Sequence, residues 1–151
     1  MKTKTTITDI TQEDLVNLLS TATCSSDWLG IRRKKGTYKG TELEDEEDCL
    51  EDTWAKVLLA GKALSAYDFY AEDEEDFYGN LPHEWSKEKQ AMRYDLTLKD
   101  IEKGLIKCLD KLGDYERGCV TRYIDCENSD FDAADAEDIM QVVLFGKIIY
   151  G

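Results

Sequence analysis

Arg93-Tyr94-Asp95-Leu96-Thr97-Leu98-Lys99-Asp100-Ile101-Glu102-Lys103-Gly104-Leu105-Ile106-Lys107-Cys108-Leu109-Asp110-Lys111-Leu112-Gly113 is the stretch that decides the fold. Its first four residues read as a short strand. Thr97 and Asp100 then have the spacing of a capping box, with a hydroxyl at the cap and a carboxylate three residues on. Leu98, Ile101, Leu105, Cys108, Leu109 and Leu112 follow on one helical face, and Gly113 is placed to end the helix. A strand feeding directly into an amphipathic helix argues for mixed structure.

Working outward, two more helices carry start signals. Thr11-Gln12-Glu13-Asp14 repeats the capping-box spacing, with Ile10 and Leu15 placed as a hydrophobic staple. Leu15, Val16, Leu18, Leu19 and Ala22 then form an apolar stripe. Near the other end, Asp132-Ala133-Ala134-Asp135 puts acids where the helix dipole favours them. Ala136, Ile139, Met140, Val143 and Leu144 follow, and Gly146 stops the run. Lys147 to Gly151 is an apolar tail that must pack somewhere.

Between these helices the pattern is shorter. Trp28, Leu29 and Ile31 form a short buried segment. Trp54 to Ala60 reads equally as a buried strand or the end of a helix, since short apolar runs do not separate the two. Ala63 to Tyr70 reads as a strand after a turn at Gly61-Lys62. Pro82 to Gln90 reads as a loop or a short helical turn, and Val120, Tyr123 and Ile124 as a strand or extended segment. The expectation is a single α+β domain over residues 1–151, about three helices on a short, mainly antiparallel sheet. There is no βαβ alternation and no internal repeat.

The chain has 151 residues, 33 acidic and 19 basic, for a net charge of −14. Direct binding to nucleic acid or to anionic lipid is therefore not expected. No run of about 18 apolar residues suggests a membrane span, and Met1 to Asp9 lacks an apolar signal core, so the expected location is the host cytosol. Cys24, Cys49, Cys108, Cys119 and Cys126 are odd in number and form no C-x-x-C pair, which reads as reduced thiols. Cys119 and Cys126 could meet across a turn. His83, the single histidine, sits beside the single proline in a turn. Schemes that pair a nucleophile with an imidazole would have to run through it. No P-loop, G-x-G-x-x-G, G-x-S-x-G or H-E-x-x-H pattern occurs. The expectation is a non-enzymatic protein with no cofactor.

The acids are concentrated in two runs. Glu42, Glu44, Asp45, Glu46, Glu47, Asp48, Glu51 and Asp52 fall within eleven residues. Glu72, Asp73, Glu74, Glu75 and Asp76 are consecutive, flanked by Phe69, Tyr70, Phe77 and Tyr78. The bland reading is a solubilising face. A metal site is a second, but counting an EF-hand loop from Asp125 puts Asp130 at its glycine position and Ala136 at its glutamate position, so no metal is expected. The third reading is nucleic-acid mimicry. Carboxylates at i, i+3 and i+4 lie about 5–6 Å apart at Cβ, as Glu44, Asp48 and Glu51 or Asp52 would on a helix. Such an array fits a channel lined with Lys and Arg, and the flanking aromatics would be its apolar anchors. Arg32 to Lys35 is a counterweight, expected to pair with the neighbouring acids across a turn bracketed by Gly36 and Gly40.

Asp138-Ile139-Met140-Gln141-Val142-Val143-Leu144-Phe145-Gly146-Lys147-Ile148-Ile149-Tyr150-Gly151 resembles the C-terminus of a family of small acidic proteins from prophages and mobile elements of Gram-positive gut bacteria. Ile7-Thr8-Asp9-Ile10, Trp54-Ala55-Lys56-Val57, Tyr94 to Leu98 and Lys103-Gly104-Leu105 resemble the same family. The chain departs from it by extra material near residues 32–52 and 72–92, which holds the charged runs. The resemblance implies a genetic setting, in which proteins of this size often block host defence nucleases; by that analogy the chain is an anti-CRISPR or anti-restriction candidate. The expected partner is a basic nucleic-acid-binding host protein. The competing expectation is a structural or adaptor module that self-associates through its apolar tail. An enzyme or small-ligand binder would instead show a pocket lined by Cys119, Cys126 and buried carboxylates.

Overall fold

The computed structural model describes residues 10–24, 26–34, 50–126 and 130–151. Its elements run α1 (Gln12–Cys24), β1 (Leu29–Arg33), α2 (Leu50–Leu59), β2 (Leu64–Asp68), β3 (His83–Ser86), β4 (Ala91–Leu96), α3 (Leu98–Asp110), α4 (Asp114–Ile124) and α5 (Ala133–Phe145). The strands form one antiparallel sheet in the order β1-β2-β4-β3. The class is α+β, but the described residues hold five helices, not about three.

The three helices with readable start signals form from them. Thr97 and Asp100 exchange hydrogen bonds as a capping box at α3. Thr11 and Asp14 do the same at 3.0 and 3.1 Å ahead of α1. Asp132 and Asp135 cap α5, which ends on Gly146 in the left-handed region at φ 80°. Each such cap satisfies backbone groups that a helix end leaves open.

The additional helices correct the sequence reading. Val120, Tyr123 and Ile124 belong to α4, not to a strand. Cys119, Val120 and Tyr123 turn one face of that helix inward, and the Tyr123 hydroxyl donates to the Asp14 carbonyl of α1 at 2.6 Å. Gly113 is extended and N-caps α4; α3 ends three residues earlier, at Asp110. Trp54 to Leu59 lies in α2, which decides the open choice between strand and helix end for the helix. His83–Ser86 is an edge strand, not a loop or helical turn. Helix α5 is buried along its length from Ile139 to Phe145, not on one stripe, because α1, α3 and α4 all pack on it. Its crossing with α3 is close: a Cβ on Gly104 would lie 2.5 Å from the Val143 Cγ2.

Side chains alternate across the sheet. Leu29, Ile31, Leu64, Ala66, Met92, Tyr94 and Leu96 face the helices and belong to the core. The opposite face carries Gly30, Tyr67, Arg93 and Glu84 in one cross-strand row, and Arg32, Ser65 and Asp95 in the next. Asp68 breaks the pattern. By alternation it belongs to the core face, and it is fully buried.

Candidate partner-binding surface

Residues 69–82 link β2 to β3 and carry the second acidic run. The run is a turn closed by its own acids. Asp73 Oδ1 accepts the Glu75 N–H at 2.9 Å, and Asp76 Oδ2 accepts the Glu72 N–H at 3.0 Å. The Asp73 carbonyl accepts the Asp76 N–H at 3.1 Å. Two carboxylates thus fix the backbone. Glu72, Glu74 and Glu75 are exposed, and no described residue forms a hydrogen bond or ion pair with their carboxylates.

The flanking aromatics stay partly open to solvent, at 39% for Phe69, 49% for Tyr70, 44% for Phe77 and 36% for Tyr78. Each is nonetheless seated. Tyr70 meets Tyr150 edge-on at 5.2 Å, Phe77 stacks on His83 at 4.0 Å, and Tyr78 meets Phe145 at 5.8 Å. Phe69 turns the other way and lies over Gly30, where a Cβ would come 2.6 Å from its ring. The four rings therefore do not share one patch. Tyr70, Phe77 and Tyr78 pack on the tail, on β3 and on α5. Phe69 belongs to the open sheet face.

Asp68 holds this region to the rest of the chain. Its Oδ1 accepts the Tyr70 N–H at 3.0 Å and its Oδ2 accepts the Tyr150 hydroxyl at 2.6 Å. Burial pushes the Asp68 carboxyl above its ordinary value, and the two hydrogen bonds only partly oppose that. Tyr150 is raised as well, by burial and by the carboxylate it serves. Next to it, the Tyr94 hydroxyl accepts the Tyr78 N–H at 3.2 Å, and burial pushes that phenol up to about 12. The tail that brings Tyr150 into place is itself clamped by buried Gln141. Its Oε1 accepts the Ile149 and Tyr150 N–H groups at 2.8 and 2.7 Å, and its Nε2 donates to the Tyr150 carbonyl at 3.1 Å.

Of the first acidic run, Glu42, Glu44, Asp45, Glu46, Glu47 and Asp48 lie outside the described residues, as does the turn expected between Gly36 and Gly40. Glu51 and Asp52 are half-buried in the first turn of α2, where the dipole favours acids. From the basic run, Lys34 pairs with Asp95 of β4 at 3.2 Å.

Cys119 and Cys126 do not come together across a turn in the described residues. Cys119 is buried, Cys126 is exposed, and no disulfide joins the described cysteines. Burial, with Asp135 nearby, pushes the Cys119 thiol up to about 11, so it stays protonated at neutral pH. Asp135 itself is lowered. Burial alone would raise it, but Arg122 donates to both of its oxygens at 2.7 Å. Tyr115 donates to Asp138 at the exposed side of the same cluster. His83 is a seated edge-strand residue, its Nδ1 2.9 Å from the Leu81 carbonyl. Among the described residues no three His, Cys, Asp or Glu side chains converge to hold a metal ion. No described helix is long and apolar enough to cross a membrane.

Sequence reading missed Asp68, Tyr94, Gln141 and Tyr150. For Asp68 a signal existed: Leu64, Ala66 and Asp68 alternate on one face, so a carboxylate falls where the core requires an apolar group. No protein-family model matches the chain, and neither a curated protein nor a solved structure matches it.

Proposed function

We propose that the chain is a non-enzymatic accessory protein of phage or mobile-element type, acting in the host cytosol. It binds a basic, nucleic-acid-handling host protein and inhibits it by presenting carboxylates where that protein expects phosphates. The observation that carries this reading is the turn at Glu72–Asp76. Asp73 and Asp76 are used to set its shape, while Glu72, Glu74 and Glu75 face solvent beside half-exposed rings. A preformed turn loses little conformational entropy on docking. Its charges would steer encounter with a Lys/Arg-lined groove, and Tyr70, Phe77 and Tyr78 would supply the apolar contact that charge alone does not. Weighing against self-association through the tail, Tyr150 is bonded within the chain, its N–H to Gln141 and its hydroxyl to Asp68.

The test is capture from host lysate at low ionic strength, with wild type and a Glu72→Lys/Glu74→Lys/Glu75→Lys variant side by side. The expected result is a basic nucleic-acid-binding protein retained by wild type, displaced by duplex DNA, and absent from the variant. Retention of the same proteins by both, or indifference to DNA, contradicts the proposal.

A further inference from the structure

The open face of the sheet differs in charge from the chain as a whole. Arg32, Lys34, Lys89 and Arg93 line one shallow depression of about 590 Å³ across all four strands, with Glu84 at its rim. Its floor is Tyr67, in the cross-strand row Gly30, Tyr67, Arg93 and Glu84. Beside Tyr67 lies Phe69, its ring within 20° of parallel and 6.1 Å away. Gly30 makes this possible, since a side chain there would occupy the space of the Phe69 ring. Lys89 extends over Tyr67, its Nζ 5.4 Å from the ring centre.

Several of these cations are held in place from below. Asp95 accepts Arg93 at 2.5 Å and Lys34 at 3.2 Å, and Glu84 accepts Arg93 at 3.0 Å. Burial alone would raise Asp95, but these two cations outweigh it and keep the carboxyl below its ordinary value. With Glu84 accepting from its Nε and Asp95 from its Nη1, the Arg93 guanidinium is held from two sides. Arg32 and Lys89 stand at the edges with hydrogen-bond capacity to spare, as an arginine carries five donors and a lysine three.

We propose that this face binds single-stranded nucleic acid, with a base stacking on Phe69, which is 39% exposed where Tyr67 is only 9%, and phosphates contacting Arg32, Lys34 and Lys89. Two features select that occupant. Among the described residues the site is a shallow open surface and not a closed cavity, which suits a strand lying across it. It also combines an exposed flat ring, Phe69, with flanking cations, the pairing by which single strands are held without sequence readout. A duplex hides its bases and would gain only the charge. The whole-chain value of −14 concealed this, because the cations come from three separate places in the sequence, 32–34, 89 and 93, and are gathered by strand pairing. The inference does not depend on the acidic-turn reading.

The test is fluorescence anisotropy with labelled oligothymidylate about twelve nucleotides long, within the range of single-strand sites. Wild type is compared with Arg32→Glu/Lys89→Glu and with Phe69→Ala, each checked for folding by circular dichroism. Binding should fall at least about tenfold in each variant, the stacking loss being of that order. The salt slope of wild type should be about −2 in log K against log salt, at about 0.7 per phosphate engaged. An equal-length duplex should bind more weakly. Equal displacement by inorganic polyphosphate together with an unaffected Phe69→Ala variant would overturn the proposal, as would absence of binding at low salt. The Glu72→Lys/Glu74→Lys/Glu75→Lys variant should bind the oligonucleotide at least as well as wild type, which separates this result from failure of the acidic-turn proposal.

Discussion

Replacing Tyr150 by Phe deletes one hydroxyl, and the structure sets what that costs. The hydroxyl donates at 2.6 Å to Asp68, a carboxylate with no exposed surface. Without it, Asp68 keeps its backbone partner at Tyr70 but loses its side-chain donor. Hydrogen bonds to a charged group contribute about 1.5–3 kcal/mol. For a chain of this size about 1 kcal/mol moves Tm by about 2–4 °C, so Tm should fall by about 4–8 °C for a loss of about 2 kcal/mol. The pH dependence sharpens the test. The folded-state pKa of Asp68 is raised above its ordinary 3.8, so the stability it contributes is full below that value and is lost as pH rises through the folded pKa. The Tyr150 bond pulls the pKa down and limits that loss. Removing it lets the pKa climb further, so the deficit of the variant should be larger near neutral pH than in acid. Thermal unfolding followed by circular dichroism across that range reads both effects. In an Asp68→Asn background, where only a neutral bond is lost, the Tyr150→Phe cost should shrink to about 1 kcal/mol. A Tm unchanged at neutral pH, or a deficit that grows on acidification, would refute the reasoning.

The remaining predictions concern packing and thiols. Gly79→Ala should destabilise by about 1–3 kcal/mol in urea unfolding, because Gly79 has φ +75° and a Cβ there would lie 2.8 Å from the Leu144 carbonyl. Gly104→Ala should cost a similar amount by overpacking the α3–α5 crossing, with a Cβ 2.9 Å from the Val143 Cα. In native protein Cys24 and Cys126 should react promptly with a thiol reagent, whereas buried Cys108 and Cys119, raised to about 12 and about 11, should react only on unfolding; peptide mapping distinguishes them.

How much was legible depended on whether a local signal existed. Helices α1 and α3 announce themselves because a cap and an apolar stripe act within a few residues; α5 does so through its Asp132 cap and its Gly146 stop. Helix α4 does not: Asp114 to Ile124 has little apolar periodicity, and Val120, Tyr123 and Ile124 have side chains that also suit strands. Its helical state comes from packing Cys119, Val120 and Tyr123 against its neighbours. Strand β3 has four residues at an edge and needs β4 to define it. The acidic turn was visible as composition. Its shape depended on Asp73 and Asp76 bonding backbone two and four residues away, which composition does not report. The Asp68–Tyr150 contact joins residues 82 apart, and the basic depression gathers three sequence segments onto one face, so neither could be read from local pattern.

The account rests on Glu72–Asp76 being one fixed turn that points three carboxylates outward. Hydrogen exchange resolved to single amides measures that directly. The Glu72, Glu75 and Asp76 amides, each bonded within the turn, should exchange more slowly than their unstructured rate. Asp73→Ala should release Glu75, and Asp76→Ala should release Glu72. Exchange of all of them at the unstructured rate in wild type would contradict the account.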